Sequence, residues 1–200
     1  QLAFVAYDRL VIRPRSQSQI DTLLRDYNDA PPDDRLRCVD VPTVNSPDVR
    51  ALLAEANPAC VVVSGTGIIG KKTLAAAPVY INIHVGITPR YRGVHGGFWA
   101  VYENRPALAG VTVHLVDSGV DTGQPLGQAT IDVQPTDTFR TLPVKQYLAG
   151  LPLMVQAVDD ALNDHLQPIT PPDLPSKQWF SPTPMAYLQF IRRLRRGRSS

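Results

Sequence analysis

The sequence predicts an α/β domain with a mostly parallel sheet and helices on its faces. Three observations carry this. Cys60-Val61-Val62-Val63 is a continuous, mainly β-branched run, the pattern of a strand buried on both faces, as in parallel sheets. Just before it, Val49, Leu52, Leu53 and Ala56 fall at i, i+3, i+4 and i+7, a helical stripe. From there on, strand-like and helix-like segments alternate, the order that a mostly parallel sheet requires.

Each element follows from local signals. Residues 1–12 fit neither period, and Pro14 is expected to end whatever they form. Ser18 is a candidate cap for a helix carrying Ile20, Leu23, Leu24 and Tyr27 at helical spacing. Residues 28–34, with Pro31 and Pro32, read as a loop, and Cys38–Val41 as a short strand. Ser46-Pro47 is a strong helix start, a capping hydroxyl followed by a proline at the first helical position. After the valine run come a short helix at Lys71–Ala77, a strand at Val79–His84 and a helix at His95–Tyr102. Strands follow at Val111–Val116 and Leu126–Val133. Asp137 is expected to cap a helix interrupted by Pro143, with a second helix from about Leu151 to Asn163.

Composition bounds the answer. The chain has 200 residues, 44% hydrophobic and 19% charged, enough for one well-filled domain. A net charge of +2 gives no global electrostatic case for nucleic acid. No stretch approaches the roughly 18 apolar residues of a membrane span, and no signal-peptide pattern is seen. Cys38 and Cys60 cannot form a disulfide framework; in short apolar runs they read as buried thiols of a reducing compartment, so a cytoplasmic location is expected. The chain opens on Gln1 rather than Met, as a piece of a longer protein would.

Glycine and proline are unevenly placed. No glycine precedes Gly65, and 11 of the 13 lie from Gly65 to Gly127, so close backbone approach is concentrated there. Six of the 19 prolines lie from Pro168 to Pro184, which predicts an extended strap on the surface leading away from the chemistry. The tail then sets Tyr187, Ile191 and Leu194 on one helical face and Arg192, Arg193, Arg195, Arg196 and Arg198 on the other. A solvated helix with cations near its negative dipole end accounts for those arginines, and it could also serve as a homo-oligomer contact.

Chemistry gathers in the middle. Asn82 and His84 stand two apart at the end of a strand, so both point to one face. Strand ends are where open α/β sheets place their sites. Asp121 lies in a glycine-flanked loop after another strand, within reach of the same crevice. An amide to hold an oxyanion, an imidazole to move a proton and a carboxylate to set its charge make an acyl-transfer kit. Either Asn82 or His84 alone would read as structural; the three together read as catalytic. No serine or cysteine nucleophile stands in an elbow context, so a substrate amine would attack directly. His84, His95 and His114 match no compact zinc spacing, so no metal is expected. Strand alternation leaves open whether His114 faces the site or the core. Gly65-Thr66-Gly67 is an incomplete nucleotide-loop pattern, without the ribose acid about 20 residues on.

Asn82-x-His84, Pro89-x-Tyr91-Arg92-Gly93, Gly110-Val111-Thr112-x-His114 and Asp121-Thr122-Gly123 together resemble the folate-dependent formyltransferases. That family includes glycinamide ribonucleotide formyltransferase, the catalytic domain of methionyl-tRNA formyltransferase, sugar N-formyltransferases and formyltetrahydrofolate deformylase. The resemblance covers about residues 58–165. It implies a Rossmann-like formyltransferase fold, catalytic Asn82, His84 and Asp121, and 10-formyltetrahydrofolate as formyl donor. It puts the folate against Ile68, Ile69 and Gly70 and against the loop Val116, Asp117, Ser118, Gly119 and Val120. Pro89, Arg90, Arg92 and His95 are the acceptor-side candidates. Gly86-Ile87-Thr88-Pro89 replaces the family's Ser-Leu-Leu-Pro and leaves the trio intact.

The family's opening strand and its glycine turn have no counterpart before Gly65. Residues 1–165 are thus expected to form a catalytic domain without its first strand, and 166–200 a proline-rich extension with a basic C-terminal helix. The function implied is N-formyl transfer to a small-molecule primary amine, with no nucleic acid or membrane partner. Hydrolytic deformylation and a catalytically inactive folate-binding or scaffold module are the alternatives.

Overall fold

The computed structural model describes residues 8–28 and 35–196. Its helices and strands, in chain order, begin with α1 (Arg13–Leu23), α2 (Arg25–Asn28) and α3 (Pro47–Ala56). Next come β1 (Val61–Val63), α4 (Lys71–Leu74), β2 (Tyr80–His84), β3 (Arg92–Gly93) and α5 (Gly96–Tyr102). The chain continues through β4 (Gly110–Leu115), β5 (Pro125–Thr130), α6 (Thr141–Leu162), β6 (Gln178–Trp179) and α7 (Pro184–Arg196).

The main sheet has the order β1-β2-β4-β5. The α/β class holds, but the expectation of a mostly parallel sheet does not. Among the described strands of this sheet only β1 and β2 run parallel; β2 with β4, and β4 with β5, are antiparallel. The alternating order misleads because α5, although it lies in the connection between the neighbouring strands β2 and β4, does not make a parallel crossover. Its Phe98 and Trp99 pack into an aromatic cluster with Tyr187 and Phe190 of α7, and the chain re-enters the sheet in the opposite direction.

Strand alternation gives the sheet two different faces. Ile81, Ile83, Val111 and Val113 point to one side and bury against Met154 and Ala157 of α6. That approach is close: a Cβ at Gly150 would lie 2.7 Å from Ile83 and from Val111. On the β1 side, Val63 and Tyr80 pack with Leu53 of α3 and Leu74 of α4. Burying such side chains stabilises by about 1.5–3 kcal/mol each.

Several local expectations are corrected. Val62 is 52% exposed, so the valine run is not buried on both faces; β1 is the edge of the described sheet. Cys38–Val41 forms no strand, Cys38 is exposed and Cys60 only half-buried, so the reading of two buried thiols fails. Pro14 does not end the preceding segment, since a π-helical turn at Asp8–Ile12 runs directly into α1, and Ser18 lies inside that helix rather than capping it. The two helices expected after Asp137 are one. Pro143 falls in the first turn of α6 and Pro152 on its exposed side, and the helix runs through both. Asp137 binds Lys145 at 2.8 Å, while Thr138 Oγ1 accepts the Thr141 N–H at 3.1 Å. Ser46 does cap α3, accepting from Val49 N at 3.3 Å.

The proline-rich strap does not run away from the centre. Gln178 and Trp179 pair in parallel with Arg92 and Gly93. Helix α7 buries Tyr187, Phe190 and Leu194 in the same cluster as α5, and Arg198 lies outside the described residues. Residues 29–34 of the expected loop also lie outside them. No described helix is long and apolar enough to cross a membrane.

Candidate active site

The β2/β4 register builds the site. Asn82 stands opposite His114 and His84 opposite Thr112, all on the face turned away from α6. Asn82 Nδ2 lies 3.1 Å from His114 Nε2. His114 Nδ1 is 2.7 Å from Leu115 O, a pure acceptor, so Nδ1 carries the proton. In neutral His114, Nε2 is then an acceptor and Asn82 donates to it. The pairing fixes the Asn82 amide and leaves its second N–H for a ligand. His114, which alternation alone left open, faces the site.

His84 is held by the same logic. Its Nε2 lies 2.6 Å from Tyr91 O and must donate to it, so Nδ1 faces the Asp121 carboxylate, 3.4 Å from Oδ2. Burial pushes the His84 pKa down, and the nearby Asp121 carboxylate only partly offsets this. The neutral ring is therefore favoured, with a free Nδ1 lone pair beside a carboxylate: two acceptors waiting for one proton. Asp121 also accepts the Gly93 N–H at 2.7 Å and lies 3.6 Å from His114 Nε2. Burial pushes its carboxyl up, while the Gly93 N–H and, in their protonated forms, His114 and His84 pull it down, for a net position below the usual range. Its backbone sits in the left-handed region, φ +49°, a conformation imposed by the loop between β4 and β5.

These groups open onto a cavity of about 890 Å³. Ile68, Ile69, Val116, Asp117, Gly119 and Val120 line it; Gly70 and Ser118 flank it without lining it. Asn45 pins the Gly65–Gly70 turn, donating to Ile68 O at 2.8 Å and accepting from Gly70 N at 2.7 Å. Gly65 and Gly67 leave open space where a Cβ would stand, and Ile68 is 67% exposed. Bare backbone beside an uncovered apolar side chain suits a flat heteroaromatic ligand. By contrast, Gly86, Gly93, Gly96 and Gly123 are tight against the protein's own backbone, so the glycine cluster serves packing as much as ligand approach.

The acceptor-side candidates divide. His95 lines the cavity, at φ +60° with its ring 4.5 Å from Phe139. Pro89, Arg90 and Arg92 do not line it. Arg90 is committed to Glu103 at 2.6 and 3.1 Å. Arg92 donates to Val120 O at 2.9 Å and Ser176 Oγ at 3.0 Å, tying the cavity loop to the strap. Sequence reasoning missed Asn45, which holds the Gly65–Gly70 turn, and the strap residues Gln178–Ser181, which line the cavity. The only signal for the strap was an aromatic pair, Trp179-Phe180, inside a proline-rich stretch.

Fold and site define a class: an α/β domain with an amide, two imidazoles and a carboxylate gathered beside a large loop-lined cavity. Residues 32–158 match the Formyl transferase family, and the chain belongs to that family. It is 33% identical over 116 residues to methionyl-tRNA formyltransferase of Koribacter versatilis, covering 57% of this chain and 37% of that protein. With the same enzyme of Anaeromyxobacter sp. it shares 38% over 109 residues, 54% of this chain and 35% of the relative. The chain thus spans little more than a third of the length of these relatives. In fold it is similar to a sugar N-formyltransferase from Shewanella sp. (TM-score 0.60, 19% identity, 75% of this chain and 65% of the other). It is likewise similar to a 4-N formyltransferase from Francisella tularensis (TM-score 0.58, 17% identity, 90% and 73%).

Proposed function

We propose that this chain carries the formyl-transfer site of an N-formyltransferase, moving a formyl group from 10-formyltetrahydrofolate to a small-molecule primary amine. One observation carries the reading: Asn82, His84, His114 and Asp121 converge on one wall of a cavity bounded by two backbone-rich loops. Membership of the formyl transferase family supports it. Relatives are named for a tRNA and for sugar acceptors; a cavity that no described lysine or arginine lines favours a small amine over a polyanion here. The reading places Ile68, Ile69 and the Val116–Val120 loop around the folate.

The donor supplies a formyl carbon bonded to a nitrogen that can leave. In this reading the second N–H of Asn82 donates to the formyl oxygen as the acceptor nitrogen bonds to carbon and the oxygen gains charge. The attacking nitrogen gives up a proton to His84 Nδ1, and the resulting imidazolium is stabilised by Asp121 beside it. His84 then returns that proton to the departing folate nitrogen as the carbon–nitrogen bond to it breaks. His114 keeps the Asn82 amide turned the right way throughout.

The test combines binding and turnover. Calorimetry with 5-formyltetrahydrofolate is expected to show binding to the wild type and to Asn82→Ala, His84→Ala and Asp121→Asn. Tetrahydrofolate release from 10-formyltetrahydrofolate with an added amine is expected to collapse in all three variants. Normal release in all three would overturn the assignment. Free formate without an amine would point to hydrolysis, and no folate binding by the wild type to an inactive module.

A further inference from the structure

The strap that follows the proline-rich stretch builds one wall of the cavity, and its backbone is pinned. Beyond the β3/β6 pairing, Trp179 Nε1 donates to Arg90 O at 3.0 Å and Trp99 Nε1 to Phe180 O at 3.1 Å. The Trp179 ring is buried, 4.5 Å from the Trp99 ring, with Lys177 Nζ 3.4 Å from its centroid. Extended chain alternates its side chains, so Phe180 projects away from that stack. It is 69% exposed and belongs to the cavity wall. A phenyl ring left in water on a fixed backbone gives a ligand apolar area without a further main-chain ordering cost. Gln178 and Ser181 on either side offer hydrogen-bonding groups.

The charges around the cavity are one-sided. Among the described residues, no lysine or arginine lines it; its charged groups other than histidine are Asp117 and Asp121. On the strap side the cations are engaged elsewhere: Arg90 with Glu103, Arg92 with Val120 and Ser176, Lys177 over Trp179. A phosphate or carboxylate next to the reacting amine would meet carboxylates and find no cation to pair with.

We propose that Gln178–Ser181 is the acceptor wall, that Phe180 positions the acceptor, and that the acceptor carries its amine on an uncharged ring whose apolar face lies on Phe180. The proposal rests on the formyl-transfer reading given above. It turns a segment outside the matched family region, residues 32–158, into part of the site.

The test uses the purified protein with saturating 10-formyltetrahydrofolate and two amines, methyl glucosaminide and glucosamine 6-phosphate. The uncharged glycoside is expected to have the higher kcat/KM. Phe180→Ala is expected to raise its KM about five- to tenfold, with kcat and 5-formyltetrahydrofolate affinity changed less than about twofold. Phe180→Tyr is expected to restore the wild-type KM. An unchanged KM in Phe180→Ala, a preference for the phosphorylated sugar, or a wild type that binds 5-formyltetrahydrofolate yet formylates neither amine overturns the proposal. Failure of the wild type to bind 5-formyltetrahydrofolate overturns the formyl-transfer reading itself.

Discussion

Replacing Gly93 by alanine tests how firmly the strap is held, without altering any polar side chain of the site. Gly93 sits at φ +93°, and a Cβ there would stand 2.2 Å from Trp179 O and 3.1 Å from Trp179 N. Those atoms cannot retreat freely, because Trp179 O accepts the Val94 N–H at 3.1 Å and the Trp179 ring is stacked on Trp99. A side chain in this backbone region costs about 1–3 kcal/mol. Overlap with an immobile neighbour adds about 1–3 kcal/mol. The expected loss is therefore about 2–6 kcal/mol, unless the strap peels away and gives up its ladder bonds, at about 1 kcal/mol each. Both tryptophans of the chain, Trp99 and Trp179, lie in the stack, so intrinsic fluorescence reads the event directly. In a urea titration Gly93→Ala should unfold at a clearly lower midpoint, with emission already shifted to the red before denaturant is added if the strap detaches. A variant within about 0.5 kcal/mol of wild type, with unchanged emission, would refute the reasoning.

Further outcomes follow from the same geometry. Asn82→Ala should lower kcat by roughly 10²–10³ through loss of the oxyanion donor, with donor affinity nearly unchanged by calorimetry. Because burial lowers the His84 pKa, the acid limb of kcat/KM should lie below the ordinary histidine value of about 6.5; Asp121→Asn removes the group that raises it and should shift the His84 titration further to acid by NMR. The sign for stability is the same: as pH falls through about 6.5 the unfolded state takes up the proton first, so acid weakens the fold, and stability rising between pH 7 and 5 would contradict this. Glu103→Gln should cost about 1.5–3 kcal/mol in denaturation, since the Arg90 guanidinium and the Tyr91 hydroxyl both lose a charged acceptor.

Much of the site was legible because strand alternation alone puts Asn82 and His84 on one face, and the flanking glycines mark turns. The role of His114 was not, since it depends on an antiparallel register that aligns it with Asn82; no one-dimensional pattern specifies which strands pair. The same long-range fact turned a mostly parallel expectation into a mixed sheet. Arg90 and Arg92 look like acceptor-side contacts in sequence and become internal struts once Glu103, Val120 and Ser176 are brought beside them. Proline density suggested a surface strap, and it took tertiary contacts of Trp179 with Arg90 and Trp99 to bring that strap to the cavity. Pro143 and Pro152 show the limit of breaker rules: in a first turn or on an exposed face, proline leaves a long helix intact.

The most direct test of the central claim follows the formyl carbon itself. Purified protein is incubated with 10-formyltetrahydrofolate carrying ¹³C in the formyl group, with methyl glucosaminide as the amine, and the products are read by ¹³C NMR. The account predicts a formamide carbon that appears only with the amine, alongside tetrahydrofolate, and that is lost in His84→Ala. Label remaining on the folate, or released solely as formate whether or not the amine is present, would contradict it.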